Sequence, residues 1–302
     1  MFLFICVAKR SQKLFIFVMD YHIKLVKMQE FTYMLAPIED MTSNAFRTIG
    51  YRYGADLTFT ELVRVEGLAK KNKATWSRLA FHDGTPTIIQ LLGANEMHFK
   101  RFLSMFKPSP GFKGFNLNLG CPSPDVIRIG QGCAMTRRIS KTKKLAQIFK
   151  DQGYPISIKM RLGLNQQDKE NKVYLHLIDA VDADYFIVHA RHGAQGYDEP
   201  ADFKVYEECV STGKQIVANG DITTVKQVDE LKAIGVKGVM IGRAAVLNPS
   251  IFHKLKGLPT TPADKILKAF LALTEKYDEP FRYRKNVGKW MGKSSFLEQS
   301  ME

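Results

Sequence analysis

Short hydrophobic runs recur along the chain, most of them rich in Val, Ile and Phe and without a polar face. Strands with this pattern are buried on both sides, as in a parallel sheet. Between the runs, apolar residues three and four positions apart predict amphipathic helices, most clearly at Ala94–Phe106, Thr142–Gln152 and Thr224–Ile234. The predicted strands are Tyr33–Pro37, Asp56–Thr60, Thr87–Leu92, Gly114–Leu119, Ile156–Arg161, Tyr185–Ala190, Gln215–Asn219 and Gly238–Gly242.

This alternation of strands and helices over about 220 residues predicts an α/β fold, a (β/α)8 TIM barrel. A doubly wound open sheet is the alternative, but no G-x-G-x-x-G sequence follows the first strand. The pattern changes near Pro249, after which Ala263–Tyr277 predicts one helix and a basic, aromatic segment follows. We therefore expect a barrel domain over residues 31–252 and a short C-terminal helical appendage, basic in character, over residues 253–302.

The N-terminus does not follow the strand–helix pattern. Two apolar runs, Phe2–Ala8 and Leu14–Met19, are each shorter than the roughly 20 residues that span a bilayer. No small-residue cleavage site follows them, so the segment does not resemble a signal peptide. We expect residues 1–30 to be an extension of the barrel, and we leave open whether it is non-native or disordered.

Composition and charge narrow the class of protein. The 302 residues are 45% hydrophobic and 25% charged, as in ordinary globular proteins. The four cysteines form no C-x-x-C pair, which argues against a disulfide framework or a metal site and favours a cytoplasmic location. The net charge of +14 favours a polyanionic partner such as a nucleic acid.

Polar residues follow one predicted strand after another. Functional residues of a TIM barrel gather at the carboxyl ends of its strands. A polar side chain buried there without a partner would be costly, so their repetition predicts a site rather than eight unrelated structural contacts. In chain order these residues are Glu39, Glu61, Gln90, Asn118, Cys121, Lys159, Arg161, His189, Arg191, Asn219, Asp221 and Arg243.

A thiol lies at the end of the fourth predicted strand. Cys121 stands between Gly120 and Pro122, a flexible and a rigid residue that break the strand sharply. A buried structural cysteine is the alternative interpretation. The amides just before the break and the polar ends of the neighbouring strands make Cys121 a candidate for chemistry.

The last two strand ends suggest a phosphorylated cofactor. Gly220 and Gly242 permit close approach of backbone N–H groups, and Arg243 offers a fork for oxygen anions, at the usual phosphate site of this barrel. Lys159 and Gln90 carry groups that can hydrogen-bond a planar heterocycle. Together these residues suggest a phosphorylated flavin, although a nucleoside-phosphate substrate fits their spacing almost as well.

From Met34 to Phe252 the chain resembles the tRNA-dihydrouridine synthases, FMN-dependent TIM-barrel enzymes. Each matching motif is short, but their order and their places at strand ends make the set specific. The motifs are Leu35-Ala36-Pro37, Thr60-Glu61-Leu62-Val63, Gln90-Leu91-Leu92-Gly93, Asn118-Leu119-Gly120-Cys121-Pro122-Ser123, Lys159-Met160-Arg161-Leu162-Gly163, Val188-His189-Ala190-Arg191, Asn219-Gly220-Asp221-Ile222 and Met240-Ile241-Gly242-Arg243.

The resemblance implies an activity and a role for each motif residue. NADPH would reduce FMN, which would deliver a hydride to C6 of a D-loop uridine in tRNA while Cys121 protonates C5 as general acid. The implied substrate-binding residues are Asn118, Arg161 and Arg191. The implied cofactor-binding residues are Pro37, Ile38, Glu39 and Gln90 near the flavin ring, Lys159 at its N1/O2 edge, and His189, Asn219, Gly220, Asp221, Gly242 and Arg243 around the phosphate.

The chain departs from the family pattern in three places. Met135-Thr136 replaces a double leucine after the glycine-rich loop, Ile38 stands where Met is common, and the C-terminal region is short for a tRNA-binding domain. Two other functions therefore stay open: a flavin-dependent reductase of a small enone or free pyrimidine, and a non-catalytic flavin- or RNA-binding relative. We expect tRNA as partner, no metal, no membrane association and a monomer.

Overall fold

The computed structural model describes residues 30–299, with side chains through residue 292. Except for Glu30, the predicted N-terminal extension lies outside the described residues. The strands of the described part are β1 (Thr32–Leu35), β2 (Thr58–Phe59), β3 (Val63–Arg64), β4 (Thr87–Leu92), β5 (Phe112–Leu119), β6 (Ile156–Arg161), β7 (Phe186–His189), β8 (Ile216–Asn219) and β9 (Gly238–Ile241).

Helices alternate with these strands, and two long ones close the described chain. The α-helices are α1 (Asn44–Arg52), α2 (Val65–Ala69), α3 (Lys73–Ser77), α4 (Glu96–Leu103), α5 (Pro124–Arg128), α6 (Ile139–Lys150), α7 (Gln166–Glu170), α8 (Val173–Ala180), α9 (Val205–Ser211), α10 (Val225–Ala233), α11 (Arg243–Leu247), α12 (Ile251–Leu255), α13 (Ala263–Lys276) and α14 (Phe281–Gln299). A 3₁₀-helix covers Gly132–Arg137.

The strands form one parallel sheet in the order β1-β9-β8-β7-β6-β5-β4-β2, and β3 also pairs with β4. Because β2 and β3 both lie beside β4, together they make the second strand of an eight-stranded barrel. A parallel bridge between Met34 and Leu57 joins β1 to the segment before β2. The sheet is therefore a nearly closed barrel, and the predicted TIM-barrel fold with C-terminal helices is confirmed.

The predicted strands agree with the observed ones to within about two residues, as is usual for element ends. The second is the exception, because it divides into Thr58–Phe59 and Val63–Arg64. Between the two parts, the hydroxyl of Thr60 accepts the backbone N–H of Gln90 at 3.0 Å. A side chain thus replaces a backbone carbonyl in the ladder, and the strand is interrupted at Glu61.

The helices end where glycine permits a left-handed backbone. Gly153, Gly213 and Gly235 follow α6, α9 and α10 with φ angles of 73°, 73° and 94°. Helix α10 begins with a capping box in which Thr224 and Gln227 bond each other's backbone. These local signals explain why the helix positions were predictable from sequence.

Apolar side chains fill both sides of the sheet. Inside the barrel, Met34, Phe59, Ile187, Val217 and Met240 belong to one buried cluster. A larger cluster lies between the sheet and the surrounding helices. This double burial explains the uniformly hydrophobic strand sequences.

The C-terminal helices pack against the barrel. Helix α13 contacts α1, and Phe46 meets Phe270 edge to face with ring centroids 5.9 Å apart. Helix α14 packs against α13 and against α11, the short helix that follows the last barrel strand. The carboxyl ends of the barrel strands are therefore flanked by the end of the chain.

Candidate active site

A cavity of about 650 Å³ opens at the carboxyl ends of β1, β6, β7, β8 and β9. Its volume lies within the roughly 300–1,000 Å³ usual for small-ligand pockets. Many of the residues suggested for cofactor binding line it: Pro37, Ile38, Glu39, Lys159, His189, Asn219, Gly220, Asp221, Gly242 and Arg243. Apolar side chains that include Met240, Val246, Leu247 and Trp290 complete its wall.

Lys159 places an amine at this cavity. It lies in β6, where its register partner on β5 is Asn118. Burial, and in second place the nearby positive charge of Arg161, lower the pKa of Lys159 to about 7. No carboxylate of the described residues forms an ion pair with it. An electron-rich or anionic group in the cavity would therefore gain a donor that has no competing anion.

His189 is neutral and offers a donor. The pKa of His189 is lowered to about 2, mainly by burial. The positive charges of Lys159, Arg161 and other nearby cations contribute to the same shift. The Nη1 atom of Arg191 lies 3.1 Å from Nε2 of His189. Because a guanidinium only donates, Nε2 must accept and the ring proton must lie on Nδ1. A neutral imidazole can thus donate to a ligand without carrying charge.

Arg191 is buried and does not line the cavity. It is 1% exposed, and it donates to the backbone oxygen of Glu199 through Nε at 2.8 Å and Nη2 at 2.6 Å. It also pairs with the carboxylate of Asp221. The structure thus gives Arg191 a role in holding the loop after β7, not an open position for substrate.

The carboxylate of Asp221 is occupied by protein groups. It accepts from Arg191, from Arg243 at 2.8 Å and from the backbone N–H of Ala201 at 3.0 Å. Partial burial opposes ionisation, but these bonds bring the net pKa of Asp221 below its usual value. Asp221 has a left-handed backbone with φ of 52°. Any phosphate near it would meet its backbone rather than its carboxylate, since like charges repel.

Arg161 and Tyr197 organise the same loop. Arg161 is 3% exposed and donates to the backbone oxygens of His192 at 2.8 Å and Gln195 at 3.2 Å. Tyr197 lines the cavity, and the guanidinium of Arg243 lies 4.2 Å from the centre of its ring. Its role was not predicted, although the sequence signal was an aromatic residue in a short Gly-containing loop.

Cys121 lies in the loop after β5 and does not line the cavity. Its side chain is half-buried. The side-chain oxygen of Asn118 accepts the backbone N–H groups of Gly120 at 3.0 Å and Cys121 at 2.9 Å. Asn118 therefore fixes the turn that presents the thiol, a role that adds to its predicted contact with substrate.

Gln90 lies below this loop and not at the cavity. It is 1% exposed, its amide nitrogen donates to Asn116 at 2.8 Å, and its amide oxygen accepts from Asn118 at 2.8 Å. Asn116 donates onward to the hydroxyl of Ser157 at 2.9 Å. Both polar groups of Gln90 thus have protein partners, and the network supports Asn118.

Cys133 is a structural thiol. It is fully buried, and its sulfur donates to the backbone oxygen of Gly163 at 3.0 Å. Burial raises the pKa of Cys133 to about 12, so it stays protonated at neutral pH.

The cavity residues fit a phosphorylated flavin. Gly220 has φ of +117°, and a Cβ atom there would lie 3.0 Å from Cδ2 of His189 and 3.1 Å from Cβ of Ala201. Glycine therefore keeps the backbone close to the His189 ring. Lys159, the Nδ1–H of His189 and Arg243 supply donors, and the apolar wall suits a planar ring.

The family model described as dihydrouridine synthase (Dus) matches residues 34–288. The chain belongs to the dihydrouridine synthase family. The match continues beyond the barrel through α13 and into α14. The first part of the C-terminal region therefore belongs to the pattern of the family.

Two curated relatives show the extent of the similarity. A Bacillus subtilis (strain 168) protein named "Probable tRNA-dihydrouridine synthase 2" is 30% identical over 236 residues, which covers 74% of this chain and 71% of that protein. A Helicobacter pylori (strain ATCC 700392 / 26695) protein named "Probable tRNA-dihydrouridine synthase" is 28% identical over 266 residues, with coverage of 84% and 78%.

Among solved structures, morphinone reductase resembles this dihydrouridine synthase family member with a TM-score of 0.51. The sequences are 10% identical, and the match covers 79% of this chain and 88% of morphinone reductase. At this identity the likeness shows the barrel fold alone.

Two further kinds of site are absent from the described residues. No helix within residues 30–299 is both long and apolar enough to cross a membrane. Over the same range, no group of three or more His, Cys, Asp or Glu side chains could hold a metal ion.

Proposed function

We propose that this protein is a tRNA-dihydrouridine synthase that reduces the C5=C6 bond of a D-loop uridine, with FMN bound in the cavity and NADPH as reductant. Membership of the family supports the reaction. The observation that carries the site assignment is the pairing of Asn118 with Lys159 across β5 and β6. It brings the turn that presents Cys121 next to the amine of the cofactor cavity.

Reduced FMN, when bound, supplies the hydride for C6 of the uracil ring. Lys159 donates a hydrogen bond to the electron-rich edge of the ring system. Because its pKa is about 7 without a ligand, a negative charge placed beside it favours the protonated amine. Lys159 therefore stabilises the cofactor most strongly when the edge of the ring system beside it carries negative charge.

Cys121 donates the proton that C5 of the uracil requires. Carbon atoms gain protons slowly unless the donor is held in place, and general-acid catalysis contributes about 10²–10⁴-fold. The two backbone bonds that Asn118 accepts fix the position of Cys121. The half-buried thiol is open enough to meet a base that enters the barrel mouth.

The other end of the cavity holds the phosphate of the cofactor. The Nδ1–H of His189, the backbone at Gly220 and the guanidinium of Arg243 provide neutral and positive donors. A neutral histidine donates here without adding charge to the Arg161, Arg191 and Arg243 cluster.

The uridine must leave its base stack to reach the barrel mouth, as in other enzymes that modify bases. A net charge of +14 gives the protein the attraction for a phosphate backbone that such binding needs. Binding should therefore weaken steeply as salt is raised.

Mass spectrometry of nucleosides tests the function. The purified protein, FMN and NADPH are incubated with tRNA that lacks dihydrouridine, and we expect dihydrouridine to appear. Cys121→Ala should lose about 10²-fold or more of the rate while it still binds FMN. Cys133→Ala, a second thiol-to-methyl change nearby, is the matched control and should stay active.

Two results would contradict the proposal. Turnover of free uracil or a small enone without any product in tRNA would assign the protein to another reductase class. Full activity of Cys121→Ala would remove that thiol from the mechanism.

A further inference from the structure

The C-terminal helix α14 has two different faces. Tyr283, Val287 and Met291, each four residues apart, are 6%, 0% and 2% exposed and pack toward the barrel side. Phe281, Lys285 and Lys289 follow the same spacing on another face and are exposed, Phe281 by 72%. An aromatic ring in line with two amines is suited to a nucleic-acid surface, where rings stack on bases and cations meet phosphates.

The same helix forms part of the cofactor cavity. Trp290 lines the cavity together with Ala244 and Leu247 of α11. Helices α11 and α14 are packed against each other, so Trp290 is held beside the strand end that carries Arg243. A ligand that fills this end of the cavity contacts a helix whose other face is open to solvent.

A second connection links α14 to the loop after β1, the strand that pairs with β9. Arg282 pairs with the carboxylate of Asp40 at 2.9 Å, and the side-chain amide of Asn286 donates to the backbone oxygen of Asp40 at 3.3 Å. Asp40 directly follows Pro37–Glu39, which line the cavity. Helix α14 therefore contacts both the loop after β1 and the cavity wall after β9.

We propose that Trp290 couples the two ligands, so that FMN in the cavity and tRNA on the exposed face of α14 each raise the affinity for the other. This inference rests on the proposed function. FMN stabilises the docked position of α14 through Trp290, and tRNA binds that docked position best. Coupling of this kind is reciprocal, because both ligands favour the same state.

Tryptophan fluorescence tests the contact. The chain has two tryptophans, and Trp76 lies on α3, where its indole donates to the backbone oxygen of Leu68 at 3.0 Å. Trp76→Phe leaves Trp290 as the sole tryptophan, and Trp290→Phe leaves Trp76 as the sole tryptophan. On titration with FMN we expect the emission of Trp290 to be quenched more strongly than that of Trp76, with saturation at one FMN per chain.

Affinity measurements test the coupling in the unaltered protein. An unmodified tRNA transcript should bind at least about fivefold more tightly with saturating FMN than without it, and FMN should gain the same factor from tRNA. Trp290→Ala should lose this gain, whereas Lys285→Ala with Lys289→Ala should weaken tRNA binding and leave the affinity for FMN alone unchanged.

Different results would overturn the proposed function and the coupling between FMN and tRNA. Absence of FMN binding to the wild-type protein would overturn the proposed function. FMN binding with equal quenching of both tryptophans, or with the same tRNA affinity in its presence and absence, would overturn the coupling and leave the function standing. The wild-type measurements decide this even if Trp290→Ala does not fold.

Discussion

Asn118 holds the backbone of Cys121 in place: its side-chain oxygen accepts the N–H of Cys121 at 2.9 Å, and also that of Gly120 at 3.0 Å. The amide nitrogen of Asn118 donates to Gln90, which is itself bonded to Asn116. A chain of amides on two strands, with Gln90 and Asn116 buried and Asn118 half-buried, thus sets the place of the thiol.

We predict that Asn118→Ala lowers the rate of dihydrouridine formation by about 10²-fold, because loss of both acceptors displaces the turn by a distance of the order that disrupts proton transfer. Asn118→Asp should be less impaired, since a carboxylate accepts both N–H groups but repels the oxygen of Gln90. Rates are measured by nucleoside mass spectrometry. Unchanged FMN affinity is the control, and a wild-type rate for Asn118→Ala would refute the role.

The barrel was predictable because its signals are local. Hydrophobic runs of strand length, helical spacings and terminal glycines such as Gly153 and Gly235 are visible within short windows of sequence. The break in the second strand was not visible, because it depends on the hydroxyl of Thr60, which accepts an N–H of β4.

The roles of individual polar residues were less predictable than their positions. A buried Gln or Arg at a strand end can face a ligand or another protein group, and the sequence does not show which. Gln90 found its partners in Asn116 and Asn118, and Arg191 found Glu199 and Asp221. Pairing between distant segments decides this choice.

Trp290 illustrates the same limit at longer range. In the sequence Trp290 is an aromatic residue in a basic segment, and nothing nearby indicates a place in a cavity. Its place in the cavity wall depends on the packing of α14 against α11, which no short window of sequence contains.

Lys159→Met should stabilise the ligand-free protein in a way that depends on pH. The folded pKa of about 7 lies below the usual value of about 10.4, so between these values the unfolded chain binds one more proton. The free energy of unfolding of the wild type therefore increases as pH rises from 7 to about 10. The advantage of Lys159→Met should be greatest below pH 7 and shrink toward pH 10.

Urea unfolding of both proteins at pH 6, 8 and 10 measures this difference in the free energy of unfolding. Groups that titrate equally in both proteins cancel from the difference. A difference that does not change with pH would contradict the lowered pKa. The same variant should bind reduced FMN about tenfold or more weakly, because a hydrogen bond to a charged group contributes about 1.5–3 kcal/mol.

Arg191 and Arg243 both pair with the carboxylate of Asp221, but their substitution should change the stability of the protein by different amounts. Arg191 is 1% exposed and its removal takes the donors from the backbone oxygen of Glu199, so Arg191→Met should lower the free energy of unfolding by about 1–3 kcal/mol. The side chain of Arg243 is 42% exposed, so Arg243→Met should cost about 1 kcal/mol or less.

The effect on FMN affinity should be larger for Arg243 than for Arg191, the reverse of the effect on stability. Arg243→Met should weaken FMN binding while the fold is kept, because Arg243 lines the cavity. Denaturant titration and fluorescence titration with FMN measure the two effects. Equal losses of stability in both variants would show that Arg191 does not anchor the loop after β7.

Tyr283→Phe should both destabilise the protein and weaken FMN binding. The hydroxyl of Tyr283 donates to Glu61, which is 2% exposed, and the other oxygen of Glu61 accepts the backbone N–H of Asp40 at 2.9 Å. Loss of this hydrogen bond should cost about 1.5–3 kcal/mol. It also removes one of the links between α14 and the loop that follows β1 and lines the cavity, and leaves those of Arg282 and Asn286 to Asp40.

Tyr277→Phe is the matched control, because it too removes a hydrogen bond from a C-terminal tyrosine to a carboxylate, that of Asp83 at 3.0 Å. Asp83 does not line the cofactor cavity, and it also accepts from the hydroxyl of Thr48 and the backbone N–H of Thr85. Thermal unfolding should therefore show losses in both variants, whereas FMN titration should show a loss in Tyr283→Phe alone. Equal FMN affinity in the two variants would show that Glu61 does not transmit the position of α14 to the cavity.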